Sequence, residues 1–499
     1  MKNKKVLKNA VSSVLIYGVL LLFSVFTSKI VLVEYGSETN GLLSSVNQIF
    51  SYIALLEAGI GTATITALFK PLSDKDENAV NDVLASSRAY YRKVVVWYFL
   101  CVVVMSVVWP LVLDTEIPYF TIFALIFLQG ISGVITFSFT STILNYLVAS
   151  GRNYVNNNVH IIISLLTYAA KLVICYAGLN IVFISLSSVV INIIKCVFYL
   201  IYMRKICPEF FKKRRADTSL LKQRSSFLVH EISGVIFSST DTIVLSVFCG
   251  LAEASIYAVY SMVLTAVNNV IGQVTNGTYY VLGDSYAKDR EKYKHTHDLF
   301  NSVYIFAVFS VFTTVYVMLL PFISLYTSGI TDANYMDPKL PILFVLIQLL
   351  SACRVVDNQL IKIALHAKQT INRTIIESAI NLSVSLILVQ FMGIYGVLLG
   401  TIAALFYRVN DFIIYTNTKI LGRSPFKEYK LYAANFALFA LIVFVNGRID
   451  FSVGSYWQLI LIAAVVFVVV CAAFMVLNCL INIKDIKTFF SKRREAKSK

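Results

Sequence analysis

Six cations, Lys29, Lys171, Lys195, Arg354, Lys362 and Arg408, sit inside long apolar runs of this 499-residue sequence. Placing Lys, Arg or Asp at the centre of a membrane helix costs about 2.5–3.5 kcal/mol on insertion scales. Each such residue therefore needs a partner, an aqueous cavity or a route to the head groups. Buried cations suit an anion such as a diphosphate, because a doubly anionic head group crossing a bilayer requires positive charge and water in its path. Lys29, Arg354, Lys171 and Lys195 are accordingly the candidate substrate-binding residues. Lys29 either lines a cavity or reaches the outer interface beside Glu34. Arg354 is too deep to reach out easily, and Asp357 at i+3 can neutralise it on one helix face. Arg408 and Asp411 repeat that spacing, whereas Lys362 lies within about a turn of a helix end and can reach the head groups.

Coupling to an ion gradient needs a carboxylate or histidine that changes protonation or holds Na⁺. Glu57, His230, Glu231 and Asp241 are the candidate ion-coupling residues. Glu57 is placed mid-span before Gly59 and Gly61, which permit close helix approach or bending. It either serves coupling or bonds hydroxyls such as Thr62 on its own helix. His230 can titrate near neutral pH or simply form an interfacial polar turn with Glu231.

The elements that must carry these groups follow from the pattern of charge. Fourteen apolar runs are long enough to cross a bilayer, at about 20 residues per crossing. They span approximately 10–33, 41–69, 94–113, 118–149, 159–178, 180–203, 226–248, 255–282, 301–326, 341–366, 374–391, 394–417, 432–447 and 456–481. The two ends and every second gap hold 35 of the 43 Lys and Arg residues, and the alternate gaps hold only Lys339 and Arg448. Cytoplasmic loops retain positive charge, so both termini are expected inside and the number of spans even. With 58% hydrophobic and 14% charged residues, the chain cannot pack as a soluble core. Its net charge of +16 is dispersed over loops without an aromatic-lined basic stripe, which argues against nucleic acid. The first run carries Lys29 and lacks a small-x-small cleavage site, so it reads as an uncleaved span.

The fourth run is too long for a straight crossing, which predicts tilting, a bend near Gly130 and Gly133, or projection into the cytoplasm. Most of the eight cysteines lie within apolar runs, with no CxxC pair, and read as free thiols. His295-Thr-His297 is the one close histidine pair. A metal site there would need ligands that the sequence does not place nearby, so it reads as a solvated loop, and no metal or cofactor is expected.

The first and seventh spans begin about 216 residues apart, and Gly151-Arg152-Asn153 aligns near Lys368-Gln369-Thr370 at a similar offset. An all-α polytopic membrane protein is expected, with two pseudo-symmetric six-helix lobes and two C-terminal helices. The lobes are 1–203 and 226–417, joined by the basic cytoplasmic linker 204–225 and followed by 418–499. Two such bundles are an architecture for alternating access. The polar seventh and eighth spans either face a wet cavity or bond other helices.

Tyr35-Gly-Ser-Glu-Thr-Asn-Gly41, Leu55-Leu-Glu-Ala-Gly-Ile-Gly61 and the Lys70-Pro71 loop resemble the opening of bacterial polysaccharide transporters. These are the oligosaccharide flippases of the multidrug/oligosaccharidyl-lipid/polysaccharide exporter superfamily. His230-Glu231, Thr240-Asp241-Thr242, Ser255-Ile-Tyr-Ala-Val-Tyr260 and Gly393-Ile-Tyr-Gly396 are similar to the family's second half. The resemblance implies a bacterial cytoplasmic-membrane protein that turns undecaprenyl-diphosphate-linked oligosaccharide to the outer leaflet before polymerisation. Its implied partners are that lipid-linked oligosaccharide, membrane lipids, H⁺ or Na⁺, and polysaccharide polymerase machinery. Many members carry Arg where this chain has Thr64 and Thr66. A multidrug cation antiporter and a peptidoglycan lipid II flippase are the alternatives. An enzyme is not expected: the longest outer gap, 327–340, holds only Asp332 and Asp337 as acids, and no nucleotide-binding loop, zinc-helix motif or nucleophile elbow appears.

Overall fold

The computed structural model describes residues 2–57, 59–211, 217, 224–449 and 453–481; the side chains of residues 2–17 and 224–233, among others, lie outside the description. Its regular elements are helical. In chain order the α-helices are α1 (Lys2–Ile53), α2 (Ile60–Ser73), α3 (Glu77–Val112), α4 (Tyr119–Ile135), α5 (Ser141–Ala149), α6 (Asn153–Tyr176), α7 (Val182–Ile206) and α8 (Arg224–Phe248). They continue as α9 (Leu251–Lys288), α10 (Arg290–Tyr326), α11 (Leu340–Cys353), α12 (Val355–Ile363), α13 (Ile371–Met392), α14 (Ile394–Tyr415), α15 (Phe426–Asn446) and α16 (Tyr456–Ile481). Helices satisfy their own backbone hydrogen bonds, which a lipid-facing segment must do.

Twelve helices among the described residues are long and apolar enough to cross a membrane, and this is an all-α, multi-pass membrane fold. Fourteen spans were expected. Within α1, Gly36 leaves the helical region at φ 80° and separates the first two expected spans, a conformation that glycine adopts without steric cost. The seventh expected span lies in α8. The chain divides into two compact units, Met1–Ala258 and Val259–Lys499.

Irregular turns fall where polar chemistry is concentrated. A 3-10 turn, Ala54–Glu57, precedes Gly59 at φ 77° and breaks the second span next to Glu57. The long fourth span is interrupted by a π-helical turn, Thr136–Thr140, between α4 and α5. Gly130 and Gly133 do not form the break; an added Cβ would lie 2.2 Å from Val102 Cγ1 and from Tyr98 Oη respectively, so both admit close packing by α3. The π turn is tied by Asn192 of α7, whose Nδ2 donates to Ser132 O at 2.6 Å and Thr136 Oγ1 at 2.9 Å.

In the second unit, α13 and α14 form a tight antiparallel pair around Gly393. Gly396 and Gly400 are four residues apart, the small-xxx-small spacing that lets membrane helices approach closely. A Cβ at Gly396 would sit 2.4 Å from the carbonyl carbon and oxygen of Leu388. Backbone cannot rotate away as a side chain can. Gly396→Ala is therefore expected to lower stability by about 1–3 kcal/mol or more, seen as a reduced thermal midpoint of the purified protein, whereas Gly447→Ala, with 3.6 Å of clearance, should change it little.

Candidate functional site

The first unit contains a cavity of about 360 Å³ bounded by α1, α3, α4, α6, α7 and the π turn. One wall is aromatic: Tyr98 meets Phe137 edge-on at 4.9 Å, and Phe137 stacks on Tyr91 at 6.4 Å. The remaining lining mixes apolar Ile163 and Ile191 with the uncharged polar side chains of Gln129, Ser132, Thr136, Thr167, Ser188 and Asn192, with Lys195 as its one charged residue. Hydroxyls and amides offer donors and acceptors in several directions, and π turns within helices often lie at functional places. Among the described residues, neither Lys195 nor Lys171 has an acidic partner within 4.0 Å. Lys171 is half-buried on α6 and is not part of the cavity lining.

Glu57 lies behind the aromatic wall. Tyr91 Oη donates to Glu57 Oε1, and Asn145 Nδ2 donates to Tyr91 Oη at 3.3 Å. The carboxylate is thus held by a hydrogen bond from α3. Tyr91 links it through π-stacking to Phe137 of the cavity. Asp241 is buried on α8 and accepts from Tyr257 Oη at 2.9 Å. Its neighbour Thr240 bonds Tyr52 Oη at 2.5 Å, so this part of the polar seventh span serves interhelical hydrogen bonding. The side chains of His230 and Glu231 lie outside the described residues. Lys29 is half-buried on α1, and Lys362 is exposed, as its position near a helix end suggests.

Arg354 occupies a different setting in the second unit. It stands at the break between α11 and α12, and its guanidinium pairs with Glu377 of α13, not with Asp357. Arg354 caps α12 in helical conformation, so the i+3 spacing persists in the backbone while the two side chains take partners on other helices. Glu377 is shared: Arg408 Nε lies 3.2 Å from Glu377 Oε2, close enough for an ion pair although not aligned as a hydrogen bond. Arg408 Nη1 also meets Asp411 Oδ2 at 2.8 Å, as expected for the i+3 pair, and Arg373 pairs with the other Asp411 oxygen. Three guanidiniums therefore share two carboxylates. Glu377 was missed in the sequence, although an acid in the eleventh apolar run is as costly as the cations that were noticed.

Asp357 instead faces His297, with Nε2 to Oδ1 at 3.4 Å. Both are wholly buried, and Glu428 is 4% exposed beside them. The expectation of a solvated His295-Thr-His297 loop holds only for His295, which is exposed. α10 begins at Arg290, so residue 297 lies two turns inside a helix and on its packed face.

No protein-family profile matches the sequence, and no curated protein matches it. The fold does have solved counterparts. The lipid II flippase MurJ in an inward closed conformation superimposes with a TM-score of 0.68, 12% identity, and coverage of 95% of this chain and 100% of that one. An inward-facing multidrug resistance MATE family transporter of the MOP superfamily gives 0.61 at 14% identity, covering 79% and 95%. An outward-facing member of the same description gives 0.57 at 12%, covering 87% and 94%. At such identities the likeness establishes the fold alone: this chain has the polytopic helical fold found in MATE transporters and MurJ.

Proposed function

We propose that the chain is a flippase that moves undecaprenyl-diphosphate-linked oligosaccharide repeat units from the inner to the outer leaflet of the bacterial cytoplasmic membrane. It works by alternating access and is not an enzyme. The observation that carries this reading is the cavity of the first unit, where Lys195 has no carboxylate partner among the described residues and stands amid hydroxyls and amides. A cation suits the diphosphate, and the hydroxyls and amides suit sugars. An exporter of organic cations would instead need an acidic lining. The fold shared with MurJ and the MATE transporters supports a transporter in general.

On this reading Lys195 is the principal substrate-binding residue, with Lys171 and Lys29 supporting it, and Arg354 is subordinate because Glu377 already engages its charge. Glu57 and Asp241, with His230 and Glu231, remain the proposed ion-coupling groups. Residues 1–203 and 226–417 are the proposed repeats, with 204–225 and the basic tail facing the cytoplasm, where positive charge is retained. A lipid II flippase is the second reading, favoured by the complete coverage of MurJ.

The test is a deletion in the native host with plasmid rescue, followed by extraction of lipid-linked intermediates and assay of surface polymer. Accumulation of a complete undecaprenyl-diphosphate repeat unit on the cytoplasmic side, with loss of surface polysaccharide, is expected. Accumulated lipid II would favour the second reading. Unchanged intermediates and polymer with new sensitivity to cationic dyes would replace both with a multidrug antiporter.

A further inference from the structure

A cluster of His297, Asp357 and Glu428 lies within the second unit. One ligand atom from each falls within 4.8 Å of the others. His297 comes from α10, Asp357 from α12 and Glu428 from α15. Two buried carboxylates need compensating charge; His297 supplies at most one positive charge, and Arg423 Nη2 and Lys427 Nζ bind Asp298 at 2.6 and 2.8 Å.

The surrounding hydrogen bonds orient the carboxylates without satisfying the cluster. Thr416 Oγ1 donates to Asp357 Oδ1 at 2.9 Å. Glu428 Oε1 accepts from Asn301 Nδ2 at 2.6 Å and Tyr432 Oη at 3.2 Å, and Asn417 Nδ2 donates to its other oxygen. Yet Asp357 Oδ2 and both ring nitrogens of His297 have no hydrogen-bond partner, in side chains with 0% exposure. Unsatisfied buried donors and acceptors are rare and costly, and His297 Nε2 and Asp357 Oδ2, on side chains that face each other, require an explanation.

We propose that His297, Asp357 and Glu428 bind a divalent transition-metal ion, of the zinc or manganese type. One imidazole and two carboxylates are ordinary ligands for such ions. Metal–ligand bonds of about 2.0–2.2 Å place tetrahedral ligand atoms roughly 3.4 Å apart, and His297 Nε2 and Asp357 Oδ1 are separated by 3.4 Å. A dipositive ion balances the two carboxylates against a neutral imidazole. The hydrogen bonds from Thr416, Asn301, Asn417 and Tyr432 are the outer partners that such ligands commonly have. The ion fastens α15 to α10 and α12, close to the helix break at Arg354, since Tyr432 Oη also lies 2.9 Å from Cys353 O.

The full chain, purified in detergent, would be stripped with chelator, reloaded separately with Zn²⁺, Mn²⁺ and Co²⁺, and analysed for metal per chain. We expect one equivalent of metal, a visible Co²⁺ ligand-field spectrum and a higher thermal midpoint on reloading. His297→Gln and Asp357→Asn should weaken Co²⁺ binding at least tenfold, while the exposed-residue control His295→Gln leaves it unchanged. If the variants do not fold, the metal content and Co²⁺ spectrum of the unmodified chain decide. Background metal with all three ions in a monodisperse sample overturns the site. So does equal retention by folded His297→Gln and Asp357→Asn.

Discussion

Lys195→Ala abolishes most polymer export while leaving the amount of membrane-inserted protein unchanged. Lys195 is the one charged residue lining the cavity in the first unit, and no acidic side chain among the described residues pairs with it. Its removal therefore orphans no carboxylate among the described residues and relieves an insertion cost of about 2.5–3.5 kcal/mol. The loss falls on the substrate. A charge-assisted hydrogen bond to a diphosphate contributes about 1.5–3 kcal/mol, corresponding to roughly a 10- to 150-fold change in affinity or flux. Lys195→Arg should keep a substantial part of the activity, because the positive charge survives while the point-like ammonium is replaced by a planar fork. The measurement is accumulation of lipid-linked repeat units in complemented deletion strains, with protein quantified in isolated membranes. Normal export by Lys195→Ala would remove this cavity from the transport path.

Glu377→Gln produces the opposite phenotype, a loss of folded protein. This buried carboxylate meets both Arg354 and Arg408, and neutralising it removes that ion pair from Arg354 and leaves Arg408 to share Asp411 with Arg373. Breaking a buried ion pair by removing one partner costs about 3–5 kcal/mol, because an uncompensated charge remains in a poorly polarisable environment. Replacing both members of a pair by apolar side chains is often close to neutral. The double variant Arg354→Met/Glu377→Met is therefore expected to retain a higher thermal midpoint than Glu377→Gln. A Glu377→Gln protein within about 0.5 kcal/mol of the parent would show that the network contributes little to stability. The contrast between Lys195 and Glu377 separates a charge kept for a ligand from one kept by its neighbours.

The periodicity of charge and hydrophobicity was enough to read an all-helical, multi-pass protein, because the bilayer allows few solutions. A span must be about 20 apolar residues long, must satisfy its own backbone, and leaves its cationic flanks on one side. The same penalty located Lys195, Arg354 and Arg408 from single positions. It also identified the Arg408–Asp411 pair, whose i+3 spacing is realised within one continuous helix, α14. Helical spacing did not pair Arg354 with Asp357, because other helices supply each with a partner, Glu377 for Arg354 and His297 for Asp357.

Partnership across helices was decided by tertiary structure. Glu57 and Tyr91 are 34 residues apart, Arg354 and Glu377 23, and Asn301 and Glu428 127. Each pair lies on separate elements whose rotation no local pattern specifies. His297 shows the difference most clearly: in the sequence it follows a run of charged loop residues, yet packing of α10 against α12 and α15 buries it beside two carboxylates. The sequence by itself determined which residues would be costly in a membrane, since that depends on side-chain chemistry and distance from the ends of an apolar run. Only the packing of helices decided which of those charges are neutralised by one another and which, like Lys195, face open space, because that depends on the rotation and contact of elements far apart in the chain.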